Sequence, residues 1–293
     1  MSAIRPRTAR ISGLLVTATA VAAGLVPAGS AHAVSGPEAA AGQHAAVVKL
    51  NIGDEANGRG CTGTVVDVSW VLTASSCFAA TPGTTVPAGA PALRTTVTLG
   101  DGRRVAVSEL APRTDRDVVL ARLATPVGGS ARLKQASAAP AAGADLTAVG
   151  FGRTRTEWVP GKAHTGAFTL NASNATALTI TGKGTDSLCK GDTGGPLLNA
   201  AGELVGVNSR SWQGGCLGTD PAESRTGAVS VRTDDLGGWM EETVRRSIAQ
   251  RDVNGDGRSD AAMVYHHADG SIGFYSSLAK TDGGFGEFNV GYT

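Results

Sequence analysis

The sequence predicts an all-β body closed by a single helix, and three observations carry that expectation. Short runs of β-forming residues recur between clusters of Gly, Pro, Asp and Asn from about residue 34 to about residue 232, the spacing of a β-sandwich or β-barrel. One amphipathic helix comes late, with Leu236, Trp239, Met240, Val244 and Ile248 on one helical face behind Thr233, Asp234 and Asp235 as capping candidates. At 293 residues, 41% of them apolar, the chain can furnish a proper core for one large or two ordinary domains.

The parts follow in order. In residues 1–33, Arg5, Arg7 and Arg10 lead into the apolar run Leu14 to Val26, and the stretch ends in the small-residue pattern Ala31-His32-Ala33. That is the layout of a signal peptide, and the run is too short, and broken by Gly24 and Pro27, for a membrane-spanning helix. Export is expected, with no membrane span once the leader is removed. The leader holds three arginines and no acid, so its removal moves the formal charge from +1 to −2; nothing in that balance recruits nucleic acid.

Within residues 34–250 the β-type runs are Ala46 to Leu50, Ser69 to Thr73, Thr95 to Leu99, Val118 to Leu123 and Leu204 to Val207. The texture changes after Arg251, placing a boundary near residue 250 and a small module at 251–293. Cys61, Cys77, Cys189 and Cys216 all lie in the part expected to be exported, where thiols oxidise. Four cysteines allow three pairings. Sequence proximity favours Cys61–Cys77 and Cys189–Cys216, each closing a loop worth about 3 kcal/mol. Zinc would ask for a short Cys-x-x-Cys pair or nearby histidines, and the chain has neither there.

The segment Cys189-Lys190-Gly191-Asp192-Thr193-Gly194-Gly195-Pro196 resembles the nucleophile loop of chymotrypsin/trypsin-like serine peptidases, which reads GDSGGP in the family; here threonine stands in place of serine. Cys61-Thr62-Gly63-Thr64 together with Trp70-Val71-Leu72-Thr73-Ala74-Ser75-Ser76-Cys77 resembles the family's histidine segment, with Ser76 where the histidine base is kept. Asp117, ahead of Val118 to Leu123, is similar to the family's orienting aspartate. Ser211-Trp212-Gln213-Gly214-Gly215-Cys216 resembles the strand that binds substrate backbone. The resemblance covers residues 34 to 248 and implies a chymotrypsin-like double six-stranded β-barrel with a C-terminal helix.

What the resemblance implies for the site is specific. Thr193, Asp117 and Ser76 would stand at the catalytic positions, and the N–H groups of Gly191 and Thr193 would form the oxyanion hole. Ser187 would be the uncharged floor of the specificity pocket, disfavouring Arg or Lys and suiting apolar side chains, with Ser211, Gln213 and Ala228 around it; Gln213 and Ala228 stand where the family commonly keeps glycines, and neighbouring Asp186 keeps a basic preference open. Cleavage after Ala33 would free Val34, whose ammonium would pair with Asp192, although Ser35 and Pro37 depart from the family's usual start.

Acyl transfer from a hydroxyl needs a group that takes its proton and later protonates the leaving amine. Ser76 has no such equilibrium near neutrality, and Thr193 adds a methyl that restricts its rotamers. Of the histidines His32, His44, His164, His266 and His267, none occupies the family position. The expectation is therefore a secreted serine-protease homologue without normal peptidase activity, a monomer that binds a protein or peptide and uses no organic cofactor. The alternative is an endopeptidase or esterase with a Thr193 nucleophile.

In the last module, Asp252, Asn254, Asp256 and Asp260 alternate with Gly255 and Gly257 in a loop suited to a hard cation, for which calcium is the candidate. This segment is similar to FG-GAP/VCBS-type repeats, and a calcium-dependent adhesin carried by the barrel is a third reading. The low lysine and high alanine and glycine content is similar to that of high-GC bacteria.

Overall fold

The computed structural model describes residues 36–249 except 55 and 82, and beyond them 256, 258, 260–266, 272–282, 284–287 and 289–292. Six strands, β1 (Val47–Ile52), β2 (Arg59–Asp67), β3 (Trp70–Thr73), β4 (Thr95–Thr98), β5 (Arg104–Pro112) and β6 (Val119–Leu123), close a first barrel in the order β1-β2-β3-β6-β5-β4. Six more, β7 (Asp145–Gly150), β8 (His164–Ser173), β9 (Ala177–Gly182), β10 (Pro196–Leu198), β11 (Leu204–Ser211) and β12 (Gly227–Arg232), close a second in the order β10-β11-β12-β9-β8-β7. The implied double barrel is therefore present, and each β-type run read from the sequence falls on one of its strands.

Local sequence explains the strands. Along β8, inward Gly166, Phe168 and Leu170 are buried while Ala167 and Asn171 point to water, the period-two pattern of a half-buried strand. Strand β6 is buried throughout, Arg122 included. That guanidinium is tolerated because Glu109 on neighbouring β5 meets its Nη1 at 2.9 Å, and because it lies 6.0 Å from the Trp70 ring; a buried charge without such a partner would cost several kcal/mol, on the order of 3–5. Trp70 and Phe168 are the largest side chains of the first and second cores.

The helix α1 spans Gly237–Ala249, and Trp239, Met240 and Val244 pack against the first core beside fully buried Leu236. Its expected caps do other work. Thr233 Oγ1 donates to Leu204 O at 3.3 Å, Asp234 is held by the Arg232 guanidinium, and Asp235 by Arg116. The first helical bond runs from Met240 N to Leu236 O. The acids before α1 were expected as caps because their spacing suits one; each is instead drawn to an arginine, and a charge-assisted bidentate bond outweighs a single cap bond. Arg116, on the loop before β6, thereby ties the first barrel to the helix entry.

Both proximity-favoured disulfides form, Cys61–Cys77 and Cys189–Cys216. In the C-terminal module, β13 (Ala261–His266), β14 (Ile272–Ser277) and β15 (Asn289–Tyr292) make an antiparallel three-stranded sheet. No helix among the described residues is long and apolar enough to cross a membrane.

Phe168 is completely buried in the second core, so Phe168→Ala should lower unfolding free energy by about 3–5 kcal/mol through lost transfer energy and a residual cavity. Chemical denaturation of the two proteins measures this, and a loss under about 1 kcal/mol would mean that the barrel collapses around the gap.

Candidate functional site

The site is assembled where the barrels meet, and Thr62 on β2 is its anchor. Fully buried, this residue donates its N–H to Thr193 O (2.9 Å) and its hydroxyl to Gly191 O (2.7 Å), while the same hydroxyl accepts Phe151 N–H (3.0 Å). Its carbonyl accepts the Thr73 hydroxyl at 2.7 Å. A first-barrel strand thus fixes the 191–193 loop of the second barrel. Gly194 completes the turn with φ +87°; a Cβ there would lie 2.0 Å from Thr73 Oγ1, so glycine is required both for the backbone angle and for the close approach.

Two serines from widely separated segments converge on the Asp117 carboxylate. Ser76, in a short 3-10 turn at residues 75–77, gives Asp117 both its N–H (2.7 Å, Oδ1) and its hydroxyl (2.9 Å, Oδ2). Ser209 on β11 adds its hydroxyl to Oδ2 at 2.6 Å. Ser209 was missed in the sequence, where Ser211 carried the resemblance of this strand. The signal was a second serine two residues earlier on the same strand; β11 shifts register at Ser209 itself, between Asn208 and Arg210, an irregularity that spacing alone does not reveal.

Thr193 does not join this cluster through its side chain. Its hydroxyl donates to Ser209 O at a long 3.4 Å, and neither Ser76 nor Asp117 is its partner. Among the described residues, the N–H groups of Gly191 and Thr193 donate to no protein acceptor, leaving both amides available to a ligand oxygen. His164 lies on β8 opposite Gly150 and bridges to Glu38. His44 precedes β1, and burial lowers its pKa. Neither hydrogen-bonds to Thr193.

The expected pocket residues are closely laced. Ser187 is fully buried with no partner for its hydroxyl among the described residues. Ser211 donates its hydroxyl to Leu188 O at 2.5 Å and pairs across the strands with Ala228, itself buried. Gln213 adopts a left-handed φ of 62°, a conformation costly for a residue with a Cβ. Asp186 accepts the Ala167 N–H at 2.7 Å, which ties it to β8.

Asp192 is the second notable acid. Wholly buried, its carboxyl accepts N–H bonds from Gly152 (2.7 Å) and Cys189 (2.8 Å), and a Cβ on Gly152 would come within 2.5 Å of it. Desolvation dominates those bonds and pushes its pKa from 3.8 up to about 7. Val34, expected to pair with it, lies outside the described residues; residues 36–39 run beside the start of β8, with Thr165 N–H donating to Pro37 O at 3.0 Å and Ala39 N–H to Ala163 O at 2.9 Å.

Of the expected calcium loop, Asp252 and Asn254 lie outside the described residues. Both oxygens of Asp256 accept from Arg258, and Asp260 accepts Ala279 N–H. No three acids, histidines or cysteines gather into a metal site among the described residues.

A trypsin family model matches residues 33–233. The chain belongs to the trypsin family. Human serine protease 56 is 30% identical over 256 residues, covering 74% of this chain and 39% of that protein, so the chain spans about two-fifths of that relative's length. The solved structure of neuropsin, a serine protease expressed in the limbic system of mouse brain, matches with a TM-score of 0.56 at 18% identity, covering 71% of this chain and 98% of that one; at that identity the likeness is one of fold.

Two substitutions test this junction. Thr62→Val leaves Gly191 O and Phe151 N–H without their hydroxyl partner, and should lower unfolding free energy by about 1–3 kcal/mol, read by chemical denaturation; an unchanged midpoint would mean that water replaces the hydroxyl. Folding raises the proton affinity of Asp192, so its contribution is fully present while the carboxyl is protonated in both states and is lost as pH rises from 3.8 through about 7. Thermal unfolding across that window should show the full chain losing stability as pH rises and Asp192→Asn flattening the loss. A loss of equal size in the variant would assign it to another group.

Proposed function

We propose that this trypsin-family chain is an exported protein without normal peptidase turnover, and that it acts as a monomeric binding module for a protein or peptide. One observation carries the reading: the Asp117 carboxylate is occupied by Ser76 and Ser209, and no described histidine hydrogen-bonds to Thr193. A hydroxyl that already donates to a carboxylate holds no proton-accepting equilibrium near neutrality, so nothing at position 76 shuttles a proton from Thr193 to a leaving amine. In enzymes with such a triad, loss of one member costs about 10⁴–10⁶ in rate. Export is supported by the leader pattern and by the two disulfides, which persist in oxidising compartments.

The second reading, a hydrolase using Thr193, is favoured by the unengaged N–H groups of Gly191 and Thr193, since an oxyanion hole supplies part of the catalysis even without the base.

Full-length protein, produced with its own leader in a secreting host, should be inert toward a panel of chromogenic peptides and esters and toward a phosphonate probe. Ser76→His/Thr193→Ser should gain at least about 10³-fold in hydrolysis, because the aspartate, loop and amides of the frame remain. Turnover by the unsubstituted protein that Thr193→Ala abolishes would overturn the proposal.

A further inference from the structure

On the described surface most cations are paired locally with a carboxylate, as in Arg103–Asp101, Lys134–Glu203, Lys162–Glu38 and Arg225–Glu223. Of those without such a partner, four line one cleft of 490 Å³ that opens onto Ser76, Gly191 and Thr193: Lys49, Arg59, Arg153 and Lys190. No acidic residue lines it. Their donors are largely unspent. Lys49 Nζ reaches only Pro160 O, at 3.4 Å, and burial lowers its pKa. Arg59 gives one bond, to Ala79 O. Arg153 lies over the Trp158 ring at 4.5 Å and reaches Leu217 O at 3.4 Å, and Lys190 is exposed with no hydrogen bond of its side chain.

Like charges gathered in a concave site repel one another and focus a positive potential, which an anionic ligand relieves. We propose that this cleft binds an acidic peptide segment, a strand of protein carrying several Asp or Glu side chains, laid across the 191–193 loop. The lining separates a peptide from a bare polyanion. Trp158 and Val159 are 55% and 71% exposed and Phe151 adds a further apolar wall, so apolar side chains are accommodated between the cations. The unengaged amides of Gly191 and Thr193 at the cleft's end suit a peptide carbonyl. This inference names the partner class of the binding module proposed above and rests on that reading.

Fluorescence anisotropy of the full-length protein with a labelled glutamate/leucine peptide tests it, with the lysine/leucine counterpart and heparin as comparison ligands. The acidic peptide should bind, weaken strongly as ionic strength rises, and lose at least about ten-fold in affinity in Lys49→Glu/Arg153→Glu. Lys190→Glu, at an exposed side chain that bonds to nothing, should lose at least about three-fold with unchanged thermal unfolding, which covers the case in which the double variant misfolds. Arg94→Glu/Arg104→Glu, in a separate depression that also contains Asp54, should leave binding unaltered. Equal affinity for the basic peptide, binding of heparin without the acidic peptide, or insensitivity to Lys190→Glu would overturn the inference. Mass spectrometry of the bound peptide separates the two readings: an intact peptide accompanies a binding module, whereas a cleaved one overturns the absence of turnover and leaves the acidic preference standing.

Discussion

The geometry of the site depends on one buried threonine. Thr62 spends its N–H, its hydroxyl and its carbonyl on Thr193, Gly191, Phe151 and Thr73, so a strand of the first barrel dictates where a loop of the second barrel sits. Hydrogen bonds inside a dry junction hold position more firmly than equivalent bonds at the surface, because water does not compete for the partners. The Cys61–Cys77 bridge begins at the neighbouring residue and ends beside Ser76, so the same small region also fixes the segment that carries Ser76 to Asp117.

Two carboxylates near this junction have opposite environments. Asp117 is half-buried and receives two hydroxyls and an amide. Asp192 receives two amides in a fully dehydrated pocket whose desolvation outweighs them. Each holds a segment in place: Asp117 gathers the Ser76 turn and β11, and Asp192 gathers the 150–152 segment and the 189–193 loop. In Asp117 that structural service occupies both carboxylate oxygens.

The same economy of pairing explains the cleft. Where cations stand beside carboxylates they are neutralised in place, and surface pairs of that sort contribute only a few tenths to about 1 kcal/mol each. Around Thr193 the sequence supplies lysines and arginines from β1, β2 and the loops near residues 153 and 190 without described acids to meet them. The charge left over faces the concave surface that a bound chain would occupy.

The sequence by itself determined five of the barrel strands, the closing helix and the proximity-favoured disulfides, and the resemblance carried by its Gly-rich loop and cysteine segments implied the double barrel, because alternation, helical spacing and such loops are local patterns written in contiguous residues. It did not reveal that Ser209, and not Ser211, completes the Asp117 cluster, since the register shift in β11 is set by pairing with β12. Nor did it reveal that Asp234 and Asp235 serve arginines in place of the helix end, or that Asp186 is engaged by β8. The cationic cleft was equally hidden, its members lying up to about 140 residues apart. Only tertiary structure decided these, because a charge or hydroxyl chooses among all partners that folding brings within about 3 Å, and sequence spacing names only the neighbours along the chain.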